Sequence, residues 1–198
     1  MNIAIVGATG KFGRAFTARL LTNPDYQLTL ISKNAEDIFE DNHRLTAKSI
    51  NAANLNQLTK SLGNADMVLC AVSGTDLPAI SQNLVELNPE RLIMLNAVGI
   101  YNELPEGLGD EFNLDCQPLQ IPNRQAADII ENSTLDYTIL RLGFFEYGDE
   151  NECVITQKGD DAKGYSTIIE SVEKISLEII ENHKLYLNEN IAVTKDMG

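Results

Sequence analysis

Ile3-Ala4-Ile5-Val6-Gly7-Ala8-Thr9-Gly10-Lys11-Phe12-Gly13 joins an apolar run, a Gly-x-x-Gly-x-x-Gly triplet and the first residues of an amphipathic segment. Four consecutive apolar residues predict a strand covered on both faces. Phe12, Phe16 and Leu20 then recur at helical spacing, and Pro24 supplies the stop. Between strand and helix each glycine has its own task. The first lets the chain leave the strand sharply, the second lets backbone approach a pyrophosphate, and the third lets the helix pack close to the strand. Free N–H groups and the positive end of the helix dipole then face the phosphates. No Gly-Lys-Ser/Thr follows, which argues against a nucleoside-triphosphate loop.

The same alternation continues along the chain. Residues 28–31, 67–72, 92–95 and 137–140 are near-continuous apolar runs. Between and after them, Leu77, Ile80, Leu84 and Leu87 share one helical face, as do Ile168, Val172, Ile175 and Ile179. Residues 45–50 alternate weakly and suit a sheet edge. Strand alternating with helix predicts an α/β fold: a Rossmann-like, doubly wound parallel sheet with helices on both faces. Residues 1–198 are expected to form one dinucleotide-binding domain. Its small substrate-side portion is expected from about 101–121 and 143–165. The first of these carries Pro105, Gly107, Gly109 and Pro118 without periodicity, as a loop that shapes a site does.

Composition narrows the function. The chain has 198 residues and a net charge of −14, from 15 basic and 29 acidic side chains. Such a surface repels phosphate backbones, so nucleic acid is not the expected partner. No apolar run reaches the ~20 residues of a membrane span, and no basic-then-apolar leader opens the chain. Cys70, Cys116 and Cys153 are an odd number, far apart, without a C-x-x-C pair. Reduced thiols, a cytoplasmic location and no metal site are the expectation. Neither His43 nor His183 joins a cluster of metal-ligand type.

Which dinucleotide the loop takes turns on the residue about 20 positions beyond the glycines, where an acidic side chain would hold the ribose 2′-OH of NAD. Counting 20 from Gly13 reaches Lys33. A cation there attracts the 2′-phosphate of NADP, with Ser32 as a hydrogen-bond donor and Lys11 and Arg14 adding positive field. Glu36 and Asp37 come slightly late for the ribose role but leave NAD as the alternative.

Beyond the glycine loop, Ala65-Asp66-Met67-Val68 leads to Ala71-Val72-Ser73-Gly74. Further on come Arg91-Leu92-Ile93-Met94-Leu95-Asn96-Ala97-Val98-Gly99-Ile100-Tyr101 and Leu135-Asp136-Tyr137-Thr138-Ile139-Leu140-Arg141. With these segments the chain resembles the atypical short-chain dehydrogenase/reductases, the NAD(P)-binding proteins related to NmrA and to biliverdin reductase B. The resemblance implies that Gly7, Thr9, Gly10, Phe12 and Gly13 hold the pyrophosphate and that Lys33 meets the 2′-phosphate. It also implies adenine at Asn51, adenosine and ribose along Ala71, Val72 and Ser73, and nicotinamide beside Gly143 and Phe144. Here Leu142 replaces the proline that relatives carry.

The acid machinery departs from the superfamily. There a tyrosine, kept acidic by a lysine four residues on, protonates the substrate oxygen as hydride arrives. Residues four beyond Tyr26, Tyr101, Tyr137, Tyr147, Tyr165 and Tyr186 are Leu30, Pro105, Arg141, Asn151, Ile169 and Asn190. Tyr137 and Arg141 share a strand, where four residues span about 13 Å. The dyad positions align with Gln120 and Arg124, and the serines after the fifth strand are replaced by Asn96 and Ala97. Tyr101 is the candidate proton donor and Asn96 the candidate substrate-orienting residue.

Two readings of different kinds follow. One is an NADPH-dependent reductase of a small conjugated acceptor such as a flavin or quinone, which draws its proton from water. The other is a non-catalytic NADP-binding regulator or redox sensor, which adds a protein partner. An epimerase or dehydratase is disfavoured by the missing dyad. A homodimer is compatible with either reading.

Overall fold

The structure, a computed structural model, describes residues 1–198. In chain order the elements are β1 (Asn2–Val6), α1 (Lys11–Leu20), β2 (Gln27–Ser32), β3 (Leu45–Ser49) and α2 (Leu55–Leu62). They continue with β4 (Met67–Cys70), α3 (Leu77–Leu87), β5 (Leu92–Ala97), α4 (Ile121–Glu131) and β6 (Tyr137–Leu142). The last are β7 (Phe144–Glu146), β8 (Cys153–Gln157), β9 (Ser166–Ile168), α5 (Ile169–Glu181) and β10 (Glu189–Lys195).

Eight strands form the main sheet in the order β3-β2-β1-β4-β5-β6-β10-β8. The chain steps outward from β1 to β2 and β3, then returns to the other side of β1 with β4. Strand order therefore reverses between β1 and β4, and a crevice opens beyond their carboxyl ends, where open α/β sheets bind ligands. Two apolar layers cover the sheet. Phe12, Phe16 and Leu20 of α1 pack with Val172, Ile175 and Ile179 of α5 on one face. Leu58 of α2, Leu77, Ile80 and Leu84 of α3, and Ala126 and Ile130 of α4 cover the other.

The expected doubly wound Rossmann-like fold is therefore present, with β3 at one edge. The sheet differs from expectation at the opposite edge. β10 pairs parallel with β6, and β8 pairs antiparallel with β10, so the sheet is mostly rather than wholly parallel. A buried arginine ties the approach to β10. Arg91 Nε donates to the His183 carbonyl at 3.0 Å and Nη2 to the Leu185 carbonyl at 3.1 Å. β7 and β9 form a separate two-stranded parallel pair. The long loop at 101–121 contains two short 3-10 turns, Asp110–Phe112 and Pro118–Gln120. No helix is long and apolar enough to cross a membrane.

Candidate functional site

At the exit of β1 the backbone turns within van der Waals reach of β4. Gly7 has φ +90°, and a Cβ on it would lie 2.7 Å from the Ala71 carbonyl oxygen. A Cβ on Gly13 would lie 2.5 Å from the Gly7 oxygen, so α1 seats directly on the turn. Gly10 caps α1 with an extended backbone and offers no side chain to the first turn, which also has no acidic residue. Gly7 and Ala8 N–H groups donate to the Ile31 carbonyl, and Gly10 N–H to that of Gly7. The N–H groups of Lys11, Phe12 and Gly13 have no such acceptor. Three uncapped donors at a helix N-terminus, in a cradle that any Cβ would fill, fit an anionic diphosphate.

From this turn a groove runs in both directions. Toward β2 a cleft of about 340 Å³ is lined by Gly7, Thr9, Gly10, Ser32, Lys33, Asn51, Ala71, Val72 and Ser73. Asn34 and Asp76, which no spacing or motif marks, line it too. Ser32 Oγ accepts from the Thr9 N–H at 3.1 Å, and Thr9 Oγ1 donates to Asn34 Oδ1 at 3.1 Å. Loop and β2 terminus are thus held as one unit. Lys33 Nζ faces Asp76 Oδ2 at 3.0 Å. Arg14 does not add to the cleft: its Nε donates to the Thr9 carbonyl at 2.8 Å and braces the loop.

Toward β6 the groove widens into a cleft of about 450 Å³ that shares Gly10, Ala71, Val72 and Ser73 with the first. Lys11, Phe12, Asn96, Gly143 and Phe144 line it, with Asn123 and Phe145. Lys11 Nζ donates to the Phe145 carbonyl at 3.2 Å and lies 4.4 Å from the Tyr147 ring centre. A Cβ on Gly143 would overlap the Tyr165 carbonyl, so glycine is needed where β6 passes into β7.

A third cleft of about 360 Å³ opens from the second across Ala97, Asn123, Leu142, Gly143 and Phe144. Its outer wall is Phe112, Gln117, Leu119 and Gln120 from the 101–121 loop and Tyr165 from the end of the 143–165 segment. Other residues of 143–165 serve elsewhere, since 153–157 form the sheet edge. The ionisable side chains lining the second and third clefts are Lys11 and Tyr165. Tyr165 is not recognisable as a site residue in the sequence. It carries no motif, and only the fold brings it beside Phe112, at 5.5 Å between ring centres.

The two catalytic candidates fare differently. Asn96 lines the second cleft, but its amide is engaged: Nδ2 donates to the Asn123 carbonyl at 3.0 Å and Oδ1 accepts from the Ala97 N–H at 2.7 Å. It fastens the end of β5 to the start of α4. Tyr101 is not brought to the clefts. Its hydroxyl donates to Glu131 Oε2 at 2.9 Å and accepts from Asn190 Nδ2 at 2.9 Å. Arg124, Arg141 and Lys158 lie 4.5, 5.3 and 4.4 Å from its ring centre. Burial first, then the Glu131 carboxylate, drive its phenol far above the usual range. It belongs to a polar network around the buried Arg141–Glu103 pair, 2.8 Å apart. Of the two dyad positions, Gln120 lines the third cleft, whereas Arg124 pairs with Asp128 at 2.9 Å.

Fold and cleft together define a dinucleotide-binding α/β protein. A family model for NAD(P)H-binding proteins matches residues 7–183. The chain belongs to this NAD(P)H-binding family. Among solved structures it is similar to a wide-type short-chain dehydrogenase/reductase from Veillonella parvula DSM 2008, in complex with NADP. The two share 26% identity and a TM-score of 0.86, over 99% of this chain and 95% of that one. It is also similar to a Rossmann-fold NAD(P)-binding family protein from Shigella flexneri, at 24% identity and TM-score 0.81, over 99% and 94% of the two chains. ChuY, an anaerobillin reductase from Escherichia coli O157:H7, is 14% identical with TM-score 0.78, over 100% and 98%. The last two bear on the fold alone. No curated protein matches the chain.

Proposed function

We propose that the protein is an NADPH-dependent oxidoreductase that reduces a small conjugated acceptor such as a flavin or quinone. The observation that carries this reading is the junction at Gly143 and Phe144. There the groove that fits a dinucleotide meets an aromatic-lined cleft with no carboxyl, imidazole or thiol on its wall. Gly7, Thr9, Gly10, Lys11, Phe12 and Gly13 would hold the pyrophosphate, and Ser32 and Lys33 the 2′-phosphate. Asn51 would meet adenine, Ala71, Val72 and Ser73 the adenosine and ribose, and Gly143 and Phe144 the nicotinamide. NADP in the Veillonella relative supports NADP over NAD here.

When bound, NADPH supplies a hydride. The protein's own contribution is to hold acceptor against cofactor, and an effective concentration gain of this kind is able to provide much of the rate. A conjugated acceptor takes two electrons with the hydride and completes its reduction with a proton from water, so no protein acid is required. Tyr165 is the hydroxyl best placed to assist, in place of Tyr101.

The test follows NADPH absorbance with purified protein and a panel of flavins and quinones. Turnover above the protein-free rate supports the reductase. Tight binding of both NADP forms without turnover would favour a sensor instead. That second reading draws on the apolar rim of the third cleft, where Leu119 is 81% and Phe144 60% exposed, as a surface that a partner protein covers.

A further inference from the structure

We infer that the third cleft selects an uncharged, flat, carbonyl-bearing ring and excludes anionic ones, an inference that rests on the reductase reading above. The polar groups on its wall, apart from the Tyr165 hydroxyl, are three carboxamides, those of Gln117, Gln120 and Asn123. No Lys, Arg or His is among the lining residues.

The carboxamides divide into a strut and a reader. Gln120 is the strut. Its Nε2 donates to the Val98 and Phe112 carbonyls at 3.1 and 3.3 Å, and its Oε1 accepts from Asn123 Nδ2 at 2.7 Å. It has no hydrogen to spare for a ligand, and it fixes the 98–112 loop to the start of α4. Gln117 has no side-chain partner, and Asn123 keeps Oδ1 and one N–H free. The cleft therefore presents neutral donors and neutral acceptors side by side, which complement ring carbonyls and ring N–H groups.

The apolar wall sets the shape. Phe112 and Phe144 meet edge to face, with ring centres 5.0 Å apart and planes at 77°, and Tyr165 leans on Phe112. Such surfaces favour a flat π-system. An anion placed among them would leave water without a counter-charge, which is strongly unfavourable. The nearest lining cation, Lys11, belongs to the adjoining cleft, where the reading above gives it to the pyrophosphate. The net charge of −14 adds a repulsive field.

Lumiflavin and 10-carboxymethylflavin share one ring system and differ by a carboxylate. Their binding to protein saturated with 1,4,5,6-tetrahydro-NADP, whose ring is uncharged like that of NADPH but donates no hydride, is read by quenching of flavin fluorescence, without turnover. Lumiflavin is expected to bind at least about fivefold more tightly, and to keep that margin at about 0.5 M salt, where the general field is screened. Gln117→Arg, which adds a cation at the cleft, is expected to shift the ratio toward the carboxylate form while lumiflavin still binds. A smaller ratio, a ratio that salt abolishes, a ratio that Gln117→Arg leaves unmoved, or failure of both flavins to bind overturns the inference. Selective binding without NADPH oxidation would sink the reductase reading and leave the selectivity intact. Failure to bind the tetrahydro-NADP at all would sink the cofactor reading and this inference with it.

Discussion

Lys33 Nζ and Asp76 Oδ2 lie 3.0 Å apart across the mouth of the cleft next to β2, one from the end of a strand and the other at the start of α3. Their side chains are 70% and 44% exposed, so the pair contributes little to folding, about 0–1 kcal/mol. It is also easily opened by a stronger anion. A 2′-phosphate in this cleft would take Lys33 from Asp76 and would feel the carboxylate as a like charge. Lys33→Ala should weaken NADPH by about 1.5–3 kcal/mol and leave NADH within about twofold. Asp76→Asn should do the opposite and tighten NADPH by about 1 kcal/mol. Calorimetric titration of both cofactors checks this, and equal losses for both in Lys33→Ala would remove Lys33 from the phosphate.

The glycine turn makes a steric prediction. In Gly13→Ala the added carbon meets the Gly7 and Ala8 carbonyl oxygens at 2.5 and 2.7 Å, both backbone atoms that cannot rotate away. Either α1 or the turn must shift. Thermal unfolding should show a loss of about 1–3 kcal/mol, and dinucleotide binding should fall with it. Gly10→Ala, whose added carbon would meet the Gly7 oxygen at 3.3 Å, is the milder change in stability.

The parts of the fold that announce themselves in sequence are those whose burial is local and periodic. Ile3 to Val6, and the Phe12, Phe16, Leu20 stripe, are buried on schedule. β10 gives no such signal. Ile191, Ala192 and Val193 are only three apolar residues between Asn190 and Thr194, and Arg91 and the β6 ladder decide that they form a central strand. β8 is half-exposed along its length and joins the sheet only because β10 offers an edge. The site divides in the same way. Spacing alone finds the glycines and Lys33, because strand, turn and helix are contiguous there. Asp76, Asn123 and Tyr165 come from three separate elements, and nothing in their neighbours marks them before the chain is folded.

Nearness to a strand end in sequence does not bring the Tyr101 hydroxyl to the clefts. Tyr101 follows β5 closely, yet its side chain turns away from the clefts toward Glu131 and Asn190. Tyr101→Phe should leave acceptor reduction within about twofold. Unfolding in urea should show a loss of about 1 kcal/mol from the missing hydrogen bonds. A large fall in turnover with unchanged stability would return Tyr101 to the chemistry.

Arg141 and Glu103 beneath it are 0% and 5% exposed, and the guanidinium also donates to the Asn190 carbonyl at 2.9 Å. Removing one charge strands the other. Glu103→Gln should destabilise by about 3–5 kcal/mol, a far larger effect than loss of the Lys33–Asp76 pair. Chemical denaturation reads the difference directly.

Glu173 on α5 makes stability depend on pH. Its side chain is largely buried, and Arg19 Nη1 reaches its Oε2 only at 3.7 Å while Nη2 holds Glu150 at 3.1 Å. Burial raises its carboxyl above the usual 4.5. Arg19 opposes the rise, and Glu170 and Glu150 add to it. The folded protein therefore keeps this proton to a higher pH than the unfolded chain does. Its contribution is most favourable below the unfolded value and is lost as pH rises through the folded one. Glu173→Gln, a neutral mimic of the protonated form, should be more stable than the parent at pH 7, and that advantage should shrink toward pH 4. Urea unfolding of both proteins at the two pH values decides the matter. A variant less stable than the parent at pH 7 would mean that the Arg19 contact outweighs the burial of the charge.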